Sequence, residues 1–426
     1  MRKSPIDISE LSNGVIVASE HIPTARSVSI GLWIEVGSGS EDPNYNGISH
    51  FFEHVVFKGT TKRSVLQLAS EIEETGGRLN AYTSREHTCF YARVIHEELP
   101  LALDTLCDLV CNPLLRSSDI AKERKVINEE IRSYFDVPEE IAYDAFSMRH
   151  FNGQGLAYPI AGDLSSVSKI GAKQLRSHHK FILEQAPVWV VAAGNVDHQW
   201  LVQQTEELLA TKTSTHRSGV VKHTYGKGKG AEQLRRDVKQ SNIVIGASVP
   251  CSGDESKRAA LGLFNRMFGG ASSSRLFQSI REKHGLAYSV YSALDSYRSC
   301  RAFTINLGTN PLRHEKVVHL LRKEIDRTLK EGFSEDELAR SKKALLGSLK
   351  LRWDSPSFHS NRLAGQLIRK GSWTSLSEFE TLLYKITLDD VLAAGNELFA
   401  YDNWTAVAVI PEESDDIDFS SLLSFK

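Results

Sequence analysis

Apolar and polar residues alternate along residues 12–42, as they do in half-buried strands. Because Pro23 lies near the middle of this stretch, the pattern predicts a β-hairpin. Two further runs of this kind, RLNAYTS and TCFYARVI, are joined by the polar pair Arg85 and Glu86 and predict a second hairpin. The apolar run VWVVAAGNVD predicts another strand.

Helical periodicity separates these strands. Apolar residues spaced three and four apart predict a helix from Gly47 to Phe57 and a second through VLQLASEIEETG, which a glycine pair closes. The same periodicity dominates from about Leu99 to Phe151 and returns near residues 174–182. Strands followed by long helical stretches predict an α+β fold.

The order of elements recurs in the second half of the chain. The strand SVSIGLWIEV precedes a helix ending in FKG, and SNIVIGASVP precedes one ending in FGG. In each half a Lys-Ile pair precedes a helix and then a strand, opened by Trp189 or Trp404. We therefore predict a duplicated α+β unit. The predicted N-terminal domain comprises residues 1–212 and the predicted C-terminal domain residues 233–426. A polar and basic linker at residues 213–232 joins them.

Composition narrows the class of protein. A chain of 426 residues with 41% hydrophobic and 24% charged residues is an ordinary globular protein with more than one core. A net charge of −2 gives no basis for binding nucleic acid or an anionic membrane, and no apolar run could span a bilayer. Five scattered cysteines predict reduced, buried thiols. Since no secretory signal is visible, we expect a cytoplasmic location in a bacterium, or the mitochondrial matrix in a eukaryote.

The segment GISHFFEHVVFKGT carries the candidate chemistry. On a helix His50, Glu53 and His54 project from one face, since they occupy positions i, i+3 and i+4. Two imidazoles one turn apart can bind zinc, and the carboxylate between them can activate a water molecule. The alternative is a solvated polar face. The flanking phenylalanines and valines favour a buried cluster with a metal.

A third ligand is expected from the helix SSDIAKERKVINEEIRSY. Glu123 and Glu130 lie seven residues apart on one face, whereas Glu129 points about 100° away. We therefore assign the ligand to Glu130 and give Glu123 the role of orienting a ligand histidine. Alignment of the FKG and FGG ends predicts no metal ligands in the second half, where the positions of the triplet hold Leu261, Phe264 and Asn265.

Four motifs in order, FFEHVVFKGT, GGRLNAYTSREHTCFYA, ERKVINEEI and SSSRLFQSIREKHGLAYSVYS, resemble the pitrilysin-type inverzincin metallopeptidases, particularly their mitochondrial-processing-peptidase-like branch. The resemblance implies two homologous halves facing each other around a closed cavity. It implies one Zn²⁺ per chain, with His50, His54 and Glu130 as ligands and Glu53 as the base.

The resemblance also implies roles in the second half and at the substrate. Arg281 and Tyr288 would reach across the cavity to hold substrate and stabilise the oxyanion. Taken alone they read as a surface arginine and a packed tyrosine. An edge strand would pair with extended peptide through Asn80, Ala81 and Tyr82, unless it is an ordinary sheet strand.

Specificity would come from pockets. Glu140 and Asp144, at positions i and i+4, match an acidic pair that holds an arginine before the cleavage site. A solvated acidic helix face is the equal alternative. Phe57 matches the aromatic residue that lines the pocket after the scissile bond.

The sequence thus predicts a zinc metalloendopeptidase acting on short unstructured peptides or presequence-like N-terminal segments, with a preference for a basic residue near the cleavage site. The alternative is a non-catalytic homologue that serves as a peptide-binding or structural subunit. The long glycine-rich loop of such subunits is missing, since GGASSSRLFQ is short. We expect peptide substrates and a homodimer, or else pairing with a homologous non-catalytic subunit.

Overall fold

A computed structural model describes residues 6–212 and 224–425. The first half of the chain builds a six-stranded sheet in the order β1-β2-β6-β3-β5-β4. Its strands are β1 (Ile6–Glu10), β2 (Ile16–His21), β3 (Ser27–Ile34), β4 (Arg78–Thr83), β5 (Thr88–Ile95) and β6 (Val188–Gly194).

The predicted hairpin over residues 12–42 is wrong in its pairing. Both of its strands form, but β6 lies between them, parallel to β2 and antiparallel to β3. The reason is that every residue of β6 is buried, so this strand needs a hydrogen-bonded partner on both sides. β2 pairs on its other side with β1, which the alternation did not reveal. The second predicted hairpin, β4 with β5, is confirmed.

The second half builds a five-stranded sheet in the order β7-β11-β8-β10-β9. The first two strands, β7 and β11, are parallel, as are β2 and β6, and the remaining pairs are antiparallel in both sheets. The shared order confirms the predicted duplication of one α+β unit. The strands are β7 (Gly230–Arg236), β8 (Ser241–Pro250), β9 (Ala287–Ser296), β10 (Cys300–Thr309) and β11 (Thr405–Pro411).

Helices follow the strands in matching order in both halves, and a π-helix occupies Phe277–Lys283. The first half contains α1 (Ile48–Val56), α2 (Val65–Glu74), α3 (Leu99–Cys111), α4 (Ser117–Tyr134), α5 (Pro138–His150), α6 (Leu164–Lys169), α7 (Ala172–Glu184) and α8 (His198–Leu208). The second half contains α9 (Glu255–Phe268), α10 (His314–Glu331), α11 (Glu335–Leu351), α12 (Pro356–Lys370), α13 (Leu376–Lys385) and α14 (Leu388–Ala400). None of the helices in the described ranges combines the length and the apolar character that a membrane span requires.

Two compact units form, and their boundaries differ from the contiguous halves that we predicted. Among the described residues, the first unit comprises 6–132, 158–212 and 351–373, and the second comprises 133–157, 224–350 and 374–425. Of the predicted linker, residues 213–223 lie outside the described residues, while β7 already begins at Gly230.

The difference arises from two helices, each of which packs on the sheet built by the other half of the sequence. Apolar residues of α5, chiefly Ala142 and Phe146, join strand residues of β8 and β11 in one cluster. Those of α12, such as Leu363, pack against Trp33 and Trp189 of the first sheet. Helical periodicity shows that each helix has an apolar face but does not show which sheet covers it.

The first core packs α1, α3 and α4 against the first sheet. Cys107 and Cys111 are buried in this core, as predicted for the cysteines of this chain. All five cysteines are free, and four of them are buried, with Cys251 half-buried.

Candidate metal centre

Helix α1 presents the candidate ligands, and a capping network fixes its start. Gly47 has a φ of 92°, and a Cβ there would lie 2.4 Å from the Ala161 carbonyl oxygen, so only glycine fits. The Glu41 carboxylate accepts hydrogen bonds from the Gly47 and Ser49 backbone N–H groups, at 2.6 and 2.8 Å. These contacts satisfy donors that the first turn leaves free. The apolar face of α1 is buried, and Phe51 is 0% exposed.

The three predicted ligands converge. His50 Nε2 lies 3.7 Å from Glu130 Oε1, and His54 Nε2 lies 3.5 Å from Glu130 Oε2. One ligand atom from each residue can be chosen so that all three lie within 4.8 Å of one another. Within residues 6–212 and 224–425, no other group of three histidine, cysteine or acidic residues converges in this way.

The residues present fit a zinc ion. Two imidazole nitrogens and one carboxylate oxygen form a ligand set that zinc prefers, with bonds of about 2 Å, and ligand atoms 3.5–3.7 Å apart can share one ion. Burial, aided by the neighbouring His54, lowers the pKa of His50 to about 4, which keeps its imidazole in the neutral form that binds metals. The buried His50 Nδ1 has no hydrogen-bond partner among the described residues.

The helix position of Glu130 distinguishes it from its neighbour. Glu129 has a side chain that is 72% exposed and forms an ion pair with Arg132. Glu130 is half-buried and faces the two histidines. The structure therefore places the two glutamates as the angular argument predicted.

Glu123 lies behind His54. Its Oε2 is 3.4 Å from His54 Nδ1, and its Oε1 accepts a hydrogen bond from Lys58 Nζ at 2.8 Å. A carboxylate that accepts the Nδ1 proton leaves Nε2 free to bind metal, and the lysine compensates the buried charge. Sequence reasoning missed Lys58, although its spacing of one helical turn from His54 was a usable signal.

Glu53 is held by a residue that the sequence did not single out. Thr83 Oγ1 donates a hydrogen bond to Glu53 Oε2 at 2.5 Å. Burial raises the pKa of the Glu53 carboxyl, an effect opposed by the Thr83 hydrogen bond. The alternation along β4 could have indicated Thr83, because it places Leu79, Ala81 and Thr83 on the same, half-buried face of the strand.

Strand β4 lies at the edge of the first sheet, as predicted for a peptide-pairing strand. Asn80 and Tyr82 are exposed, and Ala81 is half-buried. The Ala81 backbone N–H donates to Asn80 Oδ1 at 2.8 Å, so a local side chain occupies this donor. Phe57 follows α1 and is half-buried against the first core, where its ring lies 6.3 Å from that of Phe90.

The remaining predicted residues belong to the second unit. Arg281 lies in the π-helix and Tyr288 in β9, with the guanidinium carbon 5.7 Å from the centre of the tyrosine ring. Tyr288 is 77% exposed, so it is not a packed core tyrosine. On α5, Glu140 is exposed and Asp144 is half-buried.

A helix with His-x-x-Glu-His and a distant glutamate, on a duplicated α+β scaffold, defines the class of inverted-motif metallopeptidases. Residues 16–164 match the family described as insulinase (peptidase family M16), and residues 169–345 match the peptidase M16 inactive domain. The chain belongs to peptidase family M16. The first match contains all three converging ligands, and the second begins after them.

Relatives and solved structures agree with this assignment. An uncharacterized zinc protease of Streptomyces coelicolor is 34% identical over 397 residues, covering 91% of this chain and 86% of that protein. One of Bacillus subtilis is 32% identical over 390 residues, covering 92% and 95%.

A crystal structure of a peptidase M16 inactive domain from Pseudomonas fluorescens has a TM-score of 0.87 and 20% identity, covering 96% of this chain and 99% of that one. A Helicobacter pylori protease has a TM-score of 0.86 and 20% identity, covering 95% and 99%. The predicted family and fold are confirmed, and the processing-peptidase-like branch stays a prediction.

Proposed function

We propose that this protein is a zinc metalloendopeptidase that hydrolyses short unstructured peptides or presequence-like N-terminal segments, favouring a basic residue near the cleavage site. The convergence of His50, His54 and Glu130, with Glu53 on the same helix face, carries the proposal. Relatives that cover most of the chain are named zinc proteases, which supports it.

A zinc ion bound by the three ligands would polarise the substrate carbonyl and lower the pKa of a water molecule. Glu53 takes the proton from the attacking water and later gives it to the nitrogen of the departing amine. Thr83 occupies Oε2, which leaves Oε1 to handle the proton. The raised pKa of Glu53 suits this role, because the carboxyl must hold a proton between the two transfers.

Substrate binding is proposed along β4. An extended peptide would add to the free edge of this strand by backbone hydrogen bonds, which give affinity with little demand on sequence. The incoming carbonyl would displace Asn80 Oδ1 from the Ala81 N–H. The Arg281 guanidinium and the Tyr288 hydroxyl supply donors that would hold the substrate and stabilise the developing oxyanion.

A non-catalytic homologue is the second candidate, because the match over residues 169–345 is to a domain described as inactive. That description concerns residues 169–345, which contain none of the three converging ligands, whereas the match over residues 16–164 contains all of them. The two candidates, a peptidase and a peptide-binding or structural subunit, differ in turnover.

The test compares the parental protein with Glu53→Gln and with Glu74→Gln, an exposed glutamate on α2 that serves as the matched control. Zinc content and cleavage of a mixed peptide library are measured, with and without a chelator. We expect Glu53→Gln to keep zinc and lose turnover by about 10²–10⁴-fold, the usual contribution of a general base. The control should behave like the parental protein.

Two outcomes would contradict the proposal in different ways. Cleavage by Glu53→Gln at the parental rate would remove Glu53 as the base. A zinc-loaded parental protein that binds library peptides but cuts none would establish the non-catalytic alternative.

A further inference from the structure

A cavity of about 280 Å³ lies within the second unit, between the end of β8 and the helices α9 and α14. Apolar side chains form much of its wall, among them Val249, Ala260, Leu261, Ala394 and Leu398. Because both helices present alanines to the cavity, they leave space that larger side chains would fill. The volume is close to the lower end of the roughly 300–1,000 Å³ typical of small-ligand sites.

One charged residue of the wall comes from the core-facing side of the second sheet. Arg301 lies on β10, opposite Val249 of β8, and lines the cavity. Since side chains alternate between the two faces of a strand, Arg301 shares its face with Phe303 and Ile305, which are buried in the second core. A guanidinium in a row of core residues costs free energy unless its charge is compensated.

The protein pairs this guanidinium incompletely. Arg301 Nη1 donates a hydrogen bond to the Arg258 carbonyl oxygen at 3.2 Å. Arg301 Nε is buried and has no hydrogen-bond partner within residues 6–212 and 224–425. Burial lowers the pKa of Arg301, although the neighbouring Cys251 opposes this effect. The Nε edge of the guanidinium therefore lacks the acceptor that a buried charged donor requires.

The acidic residues of the wall do not supply this acceptor. Asp254 Oδ1 accepts a hydrogen bond from the Ser256 backbone N–H at 2.8 Å, at the start of α9. Asp390 Oδ2 accepts hydrogen bonds from the Thr387 backbone N–H and hydroxyl, both at 2.8 Å, at the start of α14. Glu397 is exposed to solvent. Two of the three carboxylates thus hold helix ends, and the third is hydrated.

The other basic residues of the wall have partners or face solvent. Arg258 donates hydrogen bonds to Glu255 Oε1 at 2.8 Å and to the Ser252 carbonyl oxygen at 2.7 Å. Lys257 is exposed. The need for an acceptor inside the cavity therefore arises from Arg301.

We propose that this cavity is a binding site for a small monocarboxylate with a short apolar chain. The planar Nε edge of Arg301 matches the two oxygens of a carboxylate, and the apolar chain would lie against Ala260, Ala394 and Leu398. A phosphate fits less well, because its remaining charged oxygens would face this apolar wall. The site is separate from the three converging metal ligands, which belong to the first unit, and does not depend on the proposed peptidase activity.

The experiment measures ligand binding to the full chain by calorimetry. Three ligands are compared, namely hexanoate, hexanamide, which keeps the chain and loses the charge, and acetate, which keeps the charge and loses most of the chain. The test variants are Arg301→Gln, which removes the charge, and Ala394→Leu, which fills the cavity and keeps the charge. The matched control is Arg236→Gln, which changes an exposed arginine on β7 of the same unit.

We expect hexanoate to bind at least about tenfold more tightly than either hexanamide or acetate, since it alone combines the charge with the apolar chain. Arg301→Gln should abolish the preference for hexanoate over hexanamide. Ala394→Leu should weaken hexanoate binding by at least about tenfold, because the added carbons occupy the space of the ligand. Arg236→Gln should bind all three ligands as the parental protein does.

The two test variants keep the inference open to refutation even if one of them does not fold. Equal binding of hexanoate and hexanamide would overturn it, as would a preference for the charged ligand that survives Arg301→Gln. Hexanoate binding that Ala394→Leu leaves unchanged would place the ligand elsewhere. Acetate that binds as tightly as hexanoate would show an anion site without an apolar pocket, which also contradicts the proposal.

Discussion

The two halves of the chain build sheets of the same strand order, but the first helix after β3 differs from the first helix after β8. Helix α1 carries His50, Glu53 and His54, and the predicted alignment places these opposite Leu261, Phe264 and Asn265 of α9. Leu261 and Phe264 are buried in the second core.

Phe264 shows how an apolar residue at this helix position contributes to packing of the second core. It is 0% exposed, and its ring contacts those of Phe268, Phe303, Phe333 and Phe399 with centroids 5.5–6.5 Å apart. Burial of apolar rings stabilises a domain, whereas buried imidazoles and carboxylates cost free energy unless they are paired or bind a metal. On this alignment, the helix position that serves packing in the second half belongs to the candidate metal site in the first.

The largest expected effect is loss of the metal site by Glu130→Gln. Removing the charged ligand should abolish stoichiometric zinc binding and lower peptide cleavage by at least about 10³-fold, because in the proposed mechanism zinc would activate the attacking water. Glu129→Gln, next to it on the exposed face, should retain both. Metal analysis and peptide assays on the two variants would contradict the ligand assignment if both lost zinc equally.

The corresponding change in the second half should affect stability and not metal. Phe264→Ala should lower the free energy of unfolding by about 3–5 kcal/mol, because it leaves a cavity among four aromatic rings. Urea unfolding measures this loss, and zinc content measured under native conditions should be unchanged. A loss of zinc from the folded variant would show that the two helices are not independent in this respect.

The two helices that pack on the other half's sheet, α5 and α12, each carry a buried histidine, and the pKa values of these two histidines are shifted in opposite directions. On α5, His150 contacts the Thr405 and Ser248 hydroxyls at 3.0 and 2.8 Å, and burial lowers its pKa to about 4. On α12, burial alone would lower the pKa of His359, but contact with the Glu20 carboxylate at 2.8 Å outweighs burial and raises it.

These shifts predict opposite pH dependences. An unfolded histidine takes up a proton near pH 6.5, and folded His150 does so only near 4, so His150 lowers stability by up to about 3 kcal/mol as the pH falls between these values. His359 stabilises the fold below its unfolded pKa and loses that contribution as the pH rises through its raised pKa. Urea unfolding of His150→Gln should therefore depend less on pH between about 7 and 5 than unfolding of the parental protein. Identical slopes would remove His150 from this account.

The smallest expected effect concerns Glu123. Glu123→Gln should weaken zinc affinity by about 10–100-fold without abolishing it, because the proposed role of the residue is to orient His54 and not to bind the ion. Competition with a chelator measures the change, and Glu184→Gln on α7 is the control. Complete loss of zinc would mean that Glu123 is itself a ligand.

The sequence alone determined the local features of this protein. Helical spacing placed His50, Glu53 and His54 on one face and separated Glu130 from Glu129, because 3.6 residues per turn fixes directions along a helix. Strand alternation and the repeated order of elements predicted the hairpin of β4 and β5 and the duplicated α+β unit, since periodicity and order are properties of the chain itself.

Only the tertiary structure decided which elements meet. In the fold, β6 lies between β2 and β3, and α5 and α12 each pack on the sheet built by the other half of the sequence. Thr83 contacts Glu53, and Lys58 contacts Glu123. An apolar face or an unpaired strand edge shows that a partner is required, but many partners satisfy that requirement, and the choice depends on packing across the whole fold.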